Sequence, residues 1–340
     1  MVRDFFIPDQ KMALCLDLFP IIALSTRSPC TDMTLQQNKT EHGKAAIVLA
    51  LFGSTVQSGL RGIYGVEAAL RQAFPATSIS LAFTSNQVRG IWQERAKSSE
   101  YRFLHPEIRD SILQIQGPLA AIANLQDRGY RDIVVQPGHI VAAEEYHDLA
   151  SYVRNLALIR TMKPRWQPFN SLVLAKPALG AYNPRHSYSA DILTAAEALI
   201  ADVNLARERE AILVYMGHGN LYFPAGGLYL ECAARMRSLA PDTPTFIGTV
   251  EGFPGIDEVL VELRRQPCKR VLLKPFLLCA GDHAHRDMAG DAPDSWKSIL
   301  TREGFTVEAI ARGLGEEPEF AALFARHTAS AAADAGIELL

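Results

Sequence analysis

Eight short apolar runs recur along the chain from residue 45 onward, and glycine, proline or polar residues end most of them. The first run, residues 45–52, is uninterrupted and stops at Gly53, which is typical of a strand buried on both faces. Stretches with helical spacing separate the runs. Strands that alternate with helices predict parallel sheets joined by right-handed crossovers. The pattern therefore predicts an α/β fold with helices flanking parallel sheets.

The predicted elements alternate along the whole of this region. Strands are expected at residues 45–52, 77–83, 132–136, 171–175, 211–216, 245–250, 270–276 and 305–307. Helices are expected at residues 56–74, 85–128 with two breaks, 144–158, 187–208, 228–239, 256–265, 295–301 and 317–333. Asp294 is the expected N-cap of one of them, because its carboxylate can accept from the first free backbone N–H groups.

The second half of the sequence repeats the plan of the first. Residues 133–137 align with residues 271–275, which sets Glu145 opposite His283. A duplicated α/β domain would leave a cleft between two similar lobes. Each match is short and mostly apolar, so the repeat supports this arrangement only weakly.

A chain of 340 residues suits two domains better than one. We predict a first lobe at residues 44–176 and a second lobe at residues 177–340, with the last helix able to pack on the first lobe. Residues 1–43 are excluded from the fold and are expected to be disordered or a targeting segment.

The targeting interpretation depends on residues 12–25, which resemble the apolar centre of a secretory signal. Asp17 and Pro20 interrupt that run, and no clean cleavage site follows it. A chain start at Met33 is a further alternative. We expect a cytoplasmic protein, or a periplasmic one if the segment is an export signal.

Composition excludes several classes of partner. The formal net charge is −3, so no basic excess predicts binding to nucleic acid or to an anionic membrane surface. No window approaches the ~20 apolar residues of a membrane span. The five cysteines are scattered without a Cys-x-x-Cys pair. Cys232 and Cys279 are expected to be buried free thiols, which favours a reducing compartment.

Familiar phosphate and nucleophile motifs are missing from the sequence. There is no G-x-x-x-x-G-K-[ST] loop, and the glycines around His218 lack the third glycine of G-x-G-x-x-G. A Gly-x-Ser-x-Gly nucleophile elbow is missing as well. Nucleotide hydrolysis, dinucleotide binding and α/β-hydrolase chemistry are therefore disfavoured.

Three residues with metal-ligand chemistry each follow an apolar strand: His218, Glu251 and His283. The carboxyl ends of parallel strands meet at one edge of the sheet, where ligands bind. Imidazole nitrogen and carboxylate oxygen suit divalent ions such as Co²⁺, Ni²⁺, Fe²⁺ and Zn²⁺. One such histidine alone would more often be a packing or capping residue. Three at equivalent strand ends predict a metal site.

Other titratable residues have weaker patterns. His139 and Glu145 are the first-lobe counterparts and are candidates to face the same cleft. His285 and Asp287 are interpreted as neighbours of the site or as solvated residues. The remaining histidines in helical or loop contexts are expected at the surface: His105, His147, His186 and His327.

From residue 44 to the end, the chain resembles the anaerobic sirohydrochlorin cobaltochelatases, which are class II tetrapyrrole chelatases. The resemblance implies two flavodoxin-like lobes and the insertion of Co²⁺ into sirohydrochlorin. It depends on MGHG at 216–219, VEGFP at 250–254, AGDHA at 280–284, DMAGD at 287–291, DSWK at 294–297 and EEY at 144–146.

The resemblance also implies roles for individual residues. His218, Glu251 and His283 match the metal-binding trio of the family, and His218 matches the proton acceptor. The chain departs from the family pattern at residues 53–55 and at Gly138, both of which lie in the predicted first lobe. Sirohydrochlorin is an octacarboxylate, so basic residues are expected around it; Arg61, Arg185 and Arg286 are the candidates, together with His139 and Glu145.

The expected function is that of a lyase of cobalamin biosynthesis with Co²⁺ as the substrate metal, Fe²⁺ or Ni²⁺ remaining open. No organic cofactor is expected. The alternatives are a ferrochelatase acting on sirohydrochlorin for siroheme or haem, and a tetrapyrrole- or metal-binding protein without turnover. We expect sirohydrochlorin as the partner, no nucleic acid and no membrane, and a homo-oligomer is left open.

Overall fold

The computed structural model describes residues 44–340, and the expectations for residues 1–43 lie outside this range. A first parallel sheet has the order β2-β1-β3-β4, from β1 (Lys44–Leu51), β2 (Ser78–Phe83), β3 (Tyr130–Pro137) and β4 (Ser171–Leu174). A second has the order β6-β5-β7-β8, from β5 (Ile212–Gly219), β6 (Thr245–Glu251), β7 (Arg270–Phe276) and β8 (Thr306–Ala309). The predicted α/β class with parallel sheets is confirmed.

Helices flank both sheets. They are α1 (Gln57–Ala73), α2 (Asn86–Lys97), α3 (Ser99–Leu104), α4 (Asp110–Leu113), α5 (Pro118–Asp127), α6 (Glu144–Ala157), α7 (Tyr188–Ala198), α8 (Ile200–Glu208), α9 (Gly226–Leu239), α10 (Ile256–Arg264), α11 (Trp296–Arg302) and α12 (Pro318–Ala335). A π-helix covers Ala284–Met288, and 3₁₀ turns cover Pro164–Trp166 and Leu314–Glu316. Across residues 44–340, no helix has the length and apolar character needed to cross a membrane.

The cap of α11 differs from the expectation. Ser295, and not Asp294, is the N-cap, and its hydroxyl accepts from the backbone N–H of Ser298 at 3.2 Å. The same hydroxyl donates to the carbonyl of Gly290 at 2.7 Å. A side chain one residue closer to the helix reaches the free N–H groups of its first turn, so the serine takes the capping role.

The central strands β1 and β5 explain the longest apolar runs. Each lies between two neighbouring strands, and residues 46–51 and 212–216 are buried. A strand covered on both faces has no side that can carry polar residues, which is why these runs do not alternate. Both sheets place their first strand in the same interior position, so the predicted internal repeat extends to the strand order.

Helix α1 holds the two sheets together through glycines. A Cβ atom at Gly62 would lie 2.3 Å from the carbonyl oxygen of Leu278, and one at Gly65 would lie 2.0 Å from that of Gly315. Real side chains do not approach a backbone oxygen so closely. The helix therefore contacts the second half of the chain backbone to backbone.

The last helix crosses back to the first sheet. The hydroxyl of Thr328 donates to the side-chain oxygen of Gln136 on β3 at 2.9 Å, and Ile337 and Val134 belong to one apolar cluster. Residues 44–340 all fall within one compact unit, and the boundary between the lobes at residue 176 stays a prediction. We keep the names first lobe and second lobe for residues 44–176 and 177–340.

A buried ionic network fixes the start of α12. Lys274, on β7, is 2% exposed and contacts the carboxylate of Asp202 on α8; its Nζ also lies 3.1 Å from Oε1 of Glu317. The hydroxyl of Tyr215 donates to the other oxygen of Asp202 at 2.5 Å. Buried charges are tolerated when they are paired and hydrogen-bonded in this way. Glu317 directly precedes α12, so the network joins that helix to the second sheet.

Substituting Gly62 tests the contact between α1 and the second lobe. Gly62→Ala should lower the free energy of unfolding by about 1–3 kcal/mol, because the methyl group must displace the carbonyl of Leu278. Gly90→Ala on α2 is the matched control, since nothing lies within 4 Å of its added Cβ; it should raise stability by about 0.5–1 kcal/mol. Urea unfolding measures both, and equal stability of the two variants would contradict the contact.

Candidate active site at the carboxyl edge of the second sheet

Two histidines meet where neighbouring strands of the second sheet end. His218 is the next-to-last residue of β5. His283 directly precedes the π-helix that follows β7. Strands β5 and β7 pair in register up to Gly217 and Phe276. The two imidazole rings are 4.9 Å apart between centroids and nearly perpendicular, at 87°. Sheet pairing thus brings together two residues that are distant in the sequence.

In each of the two histidines, one ring nitrogen makes a hydrogen bond to a neighbouring group of the protein. Nδ1 of His218 lies 3.0 Å from the carbonyl oxygen of Gly219, and Nδ1 of His283 contacts the carboxylate of Asp287. Both partners can only accept, so in each ring Nδ1 carries the hydrogen and donates it. Nε2 then keeps its lone pair in both rings. This is the arrangement in which histidines bind metals or accept protons.

Glu251 ends the strand on the other side of β5, where Gly219 pairs with it. Gly219 has φ 76°, and a Cβ atom there would lie 1.8 Å from the carbonyl oxygen of Glu251. Only glycine permits this close crossing of the two strand ends. Even so, among residues 44–340 no three His, Cys, Asp or Glu side chains form a ready metal site. The structure brings His218 and His283 together, and Glu251 does not join them.

Glu145 faces the histidines from the first lobe. Burial raises the pKa of its carboxyl, and the charges of Asp148 and Glu144 add to this effect. The charge of His218 acts in the opposite direction, which places Glu145 within electrostatic reach of that ring. His285 also contacts the first lobe, because its Nε2 lies 3.0 Å from the hydroxyl of Ser58 on α1.

His139 is enclosed at the end of β3. Both of its ring nitrogens are buried and make no hydrogen bond to the residues that the structure describes. Burial lowers its pKa to about 4, so the ring is neutral at physiological pH. A contact between His139 and a substrate stays a prediction, and a hydrogen bond to the ring requires a movement that uncovers its nitrogen atoms.

The three arginines lie in different surroundings. Arg61, on α1, is ion-paired with Glu316 at 3.2 Å. Arg185 pairs with Asp334 at 3.2 Å and lines a separate cavity of about 360 Å³ beside β4. Arg286 is exposed on the π-helix, three residues beyond His283. Position along the chain therefore favours Arg286 over the other two for contact with a ligand at the histidines.

A larger cavity of about 460 Å³ adjoins the two strand ends that carry His218 and Glu251. Its walls are residues 219–227, Gly252 and Phe253. Several apolar side chains here face solvent, with Tyr222 84% exposed and Leu221 67% exposed. An apolar surface beside polar ligand groups is typical of a small-molecule site.

Some contacts were not expected from the sequence. Asp287 lies against His283; its spacing of four residues, one helical turn, was the available signal. His147 stacks on Phe223 across the lobes, at 5.1 Å between ring centroids. His327 was expected at the surface and is 4% exposed, which is a correction. Its Nε2 lies 3.6 Å from the Asp191 carboxylate in the interior.

Comparison with known proteins identifies the family. The family model described as "Cobalt chelatase (CbiK)" matches residues 45–333. The chain belongs to this family. The family predicted from the strand-end motifs is therefore confirmed.

Two curated cobalt chelatases match over most of their length. The sirohydrochlorin cobaltochelatase of Salmonella typhimurium is 31% identical over 286 residues, which cover 84% of this chain and 95% of the relative. The sirohydrochlorin cobaltochelatase CbiKC of Nitratidesulfovibrio vulgaris is 30% identical over 288 residues, with coverages of 85% and 90%.

Solved structures show the same fold at lower identity. SirB from Bacillus subtilis with Fe³⁺ aligns with a TM-score of 0.56 at 14% identity, covering 87% of this chain and all of that one. The sirohydrochlorin chelatase SirB from Bacillus subtilis subspecies spizizenii in complex with cobalt gives 0.53 at 14%, covering 86% and 96%. At this identity, the likeness supports the chelatase fold and nothing finer.

Asp287 should strengthen His283 as a metal ligand. Asp287→Asn keeps the shape of the side chain but removes the charge that orients the imidazole, so Co²⁺ affinity should fall about 10- to 100-fold. Asp282→Asn is the matched control, because Asp282 precedes His283 and is exposed. Titration with Co²⁺, followed by absorbance, measures both, and equal affinities would remove Asp287 from the site.

His139 should make the fold sensitive to acid. Its pKa is about 4 in the folded state against an ordinary 6.5, so stability is complete above pH 6.5 and is lost as pH falls from 6.5 to 4. Between pH 7.5 and pH 5, the wild-type protein should lose roughly 2 kcal/mol more than His139→Leu. Urea unfolding at the two pH values checks this, and identical losses would exclude the effect.

Proposed function

We propose that this protein is a sirohydrochlorin cobaltochelatase, which inserts Co²⁺ into the macrocycle with release of two protons. One observation carries the proposal. In a chain of the cobalt chelatase family, His218 and His283 lie 4.9 Å apart at a sheet edge, each with Nδ1 engaged and Nε2 free. Such a pair can hold a divalent ion and exchange protons at the same place.

The metal is a substrate that must be bound and then released. His218, Glu251 and His283 are the proposed ligands, since imidazole and carboxylate suit Co²⁺. The two imidazoles already lie together, so they meet the ion first, and Glu251 completes the set from the neighbouring strand. A set that closes only when the ion is present holds it less firmly than a four-ligand structural site.

Insertion requires two pyrrole N–H protons to leave the macrocycle. His218 is exposed, and its Nε2 is available, so it is the proposed acceptor of one proton. Glu145 faces His218 from the opposite lobe, and burial raises its carboxyl pKa, which favours the protonated form. It is the proposed acceptor of the second proton. As each proton leaves, the electron pair of the broken N–H bond stays on the pyrrole nitrogen and becomes available to bind the metal.

The carboxylates of the macrocycle need positive partners. Arg286 is exposed next to His283 and is the first candidate. Arg61 is 64% exposed but shares its charge with Glu316, so a substrate carboxylate has to compete for it. Arg185 is paired with Asp334 in the separate cavity and is the weakest candidate. Charge-assisted bonds from arginine suit carboxylates particularly well.

A direct assay tests the enzyme and its metal. Purified protein is mixed with sirohydrochlorin and Co²⁺, and insertion is followed by the change in macrocycle absorbance, with Fe²⁺ and Ni²⁺ in parallel. We expect the protein to accelerate insertion and to be fastest with Co²⁺. A rate equal to the spontaneous rate would favour a binding protein without turnover, and a faster reaction with Fe²⁺ would favour a ferrochelatase.

Substitutions of the ligands should separate their roles. His218→Ala and His283→Ala should each remove most activity while the circular dichroism spectrum stays unchanged. Glu251→Gln should weaken Co²⁺ binding more than macrocycle binding, because it removes only the charge that holds the ion. His105→Ala, at the C-terminal end of α3, is the control and should keep its rate. Near-normal rates in both histidine variants would contradict the assignment.

A further inference from the structure

One contact between the two lobes is a stacked pair of rings. His147, on α6, and Phe223, which follows β5, are 5.1 Å apart between centroids and only 15° from parallel. His147 is two residues from Glu145, and Phe223 is five residues from His218. The stack therefore lies directly beyond the two groups that face each other over the proposed site.

A second histidine makes a comparable contact on the other side. His285 occupies the position in the second lobe that His147 occupies in the first, because Glu145 aligns with His283. Its Nε2 lies 3.0 Å from the hydroxyl of Ser58, which also donates to the carbonyl of Ala280 at 3.3 Å. Each lobe thus has one histidine that contacts the other lobe, and the two histidines are at equivalent positions.

The two sides differ in how tightly they are held. Around His285, helix α1 and the second lobe are in backbone contact, with Gly62 against Leu278. Around Phe223, the neighbouring loop borders the cavity of about 460 Å³, and Tyr222 and Leu221 are largely exposed. The His285 side cannot separate without breaking the packing of the lobes. On the Phe223 side, the stack is the contact between the lobes, and the segment is otherwise held within its own lobe, where Oδ1 of Asn220 accepts from the N–H groups of Tyr222 and Phe223.

We infer that the His147–Phe223 stack is a latch that closes the cleft and parts to admit the flat macrocycle to His218. The inference relies on the proposed function for the identity of the ligand. The stack joins α6, which carries Glu145, to the segment just after His218, so a planar tetrapyrrole that enters between Glu145 and His218 displaces it. Residues 221–225 are the part that moves, because Leu221 and Tyr222 are largely exposed, whereas Gly219 and Gly226 on either side are packed against the carbonyl oxygens of Glu251 and Phe253. Phe223 then turns from His147 to the face of the macrocycle.

Linking the two positions tests the latch. In the full-length protein carrying His147→Cys and Phe223→Cys, a short bis-methanethiosulfonate reagent bridges the two thiols and is removed by dithiothreitol. We expect the linked protein to bind sirohydrochlorin at least ten-fold more slowly without metal, by stopped-flow absorbance, and to recover on reduction. The single variants, treated with the same reagent, control for modification of either site and of the natural cysteines. Binding as fast as in the unlinked double variant would overturn the latch.

The binding readout separates this inference from the proposed function. If the unlinked protein binds the macrocycle but inserts no metal, the proposed function fails and the effect of the link on binding still decides the latch. Hydrogen exchange needs no substrate. Phe223→Ala should speed exchange of the amides in residues 220–225 at least three-fold, whereas Tyr222→Ala, which removes an exposed neighbouring ring, should not. Equal exchange in the two variants would overturn the latch even if no ligand binds.

Discussion

The close contact between helix α1 and the second lobe is the constraint on which the site depends. Gly62 brings the helix backbone against the carbonyl of Leu278, and the chain runs from there directly to His283. Ser58, one turn earlier on the same helix, bonds to His285 just beyond it. The helix therefore positions the segment that carries one of the proposed ligands, and it also sets the separation of the lobes. A side chain in place of Gly62 would disturb both.

The two histidines are held by different partners, and this difference suits a site that must give up its metal. A carboxylate behind a ligating imidazole strengthens it as a ligand, and Asp287 contacts the proposed ligand His283 in this way. His218 has only the carbonyl of Gly219 as its partner. Under the proposed function, His283 is thus the firmer anchor for the metal, and His218 is the residue that exchanges the metal for a proton. Glu251 ends the neighbouring strand and is the proposed source of the charge that a divalent ion needs.

The two lobes have the same strand order, but they carry different functional groups at the ends of equivalent strands. Strand β5 ends at an exposed histidine, His218, whereas the equivalent end of β1 carries Ser54, which is buried and bonds to the backbone of Val56 two residues on. In the first lobe, the carboxyl of Glu145 is the counterpart of His283. Under the proposed function, the duplication supplies the two sides of the site, with the proposed metal ligands on one lobe and Glu145, the proposed acceptor of a proton, on the other.

The sequence by itself determined the fold class, the succession of strands and helices along the chain, and the family, because each is encoded locally in apolar runs, glycine breaks and strand-end motifs. It also singled out His218 and His283, since neighbouring parallel strands must end at one edge. Only the tertiary structure decided that Glu251 stays apart, that Asp287 supports His283 and that the lobes meet through His147. Those facts depend on how side chains from distant segments approach one another, and strand patterns carry no information about that approach.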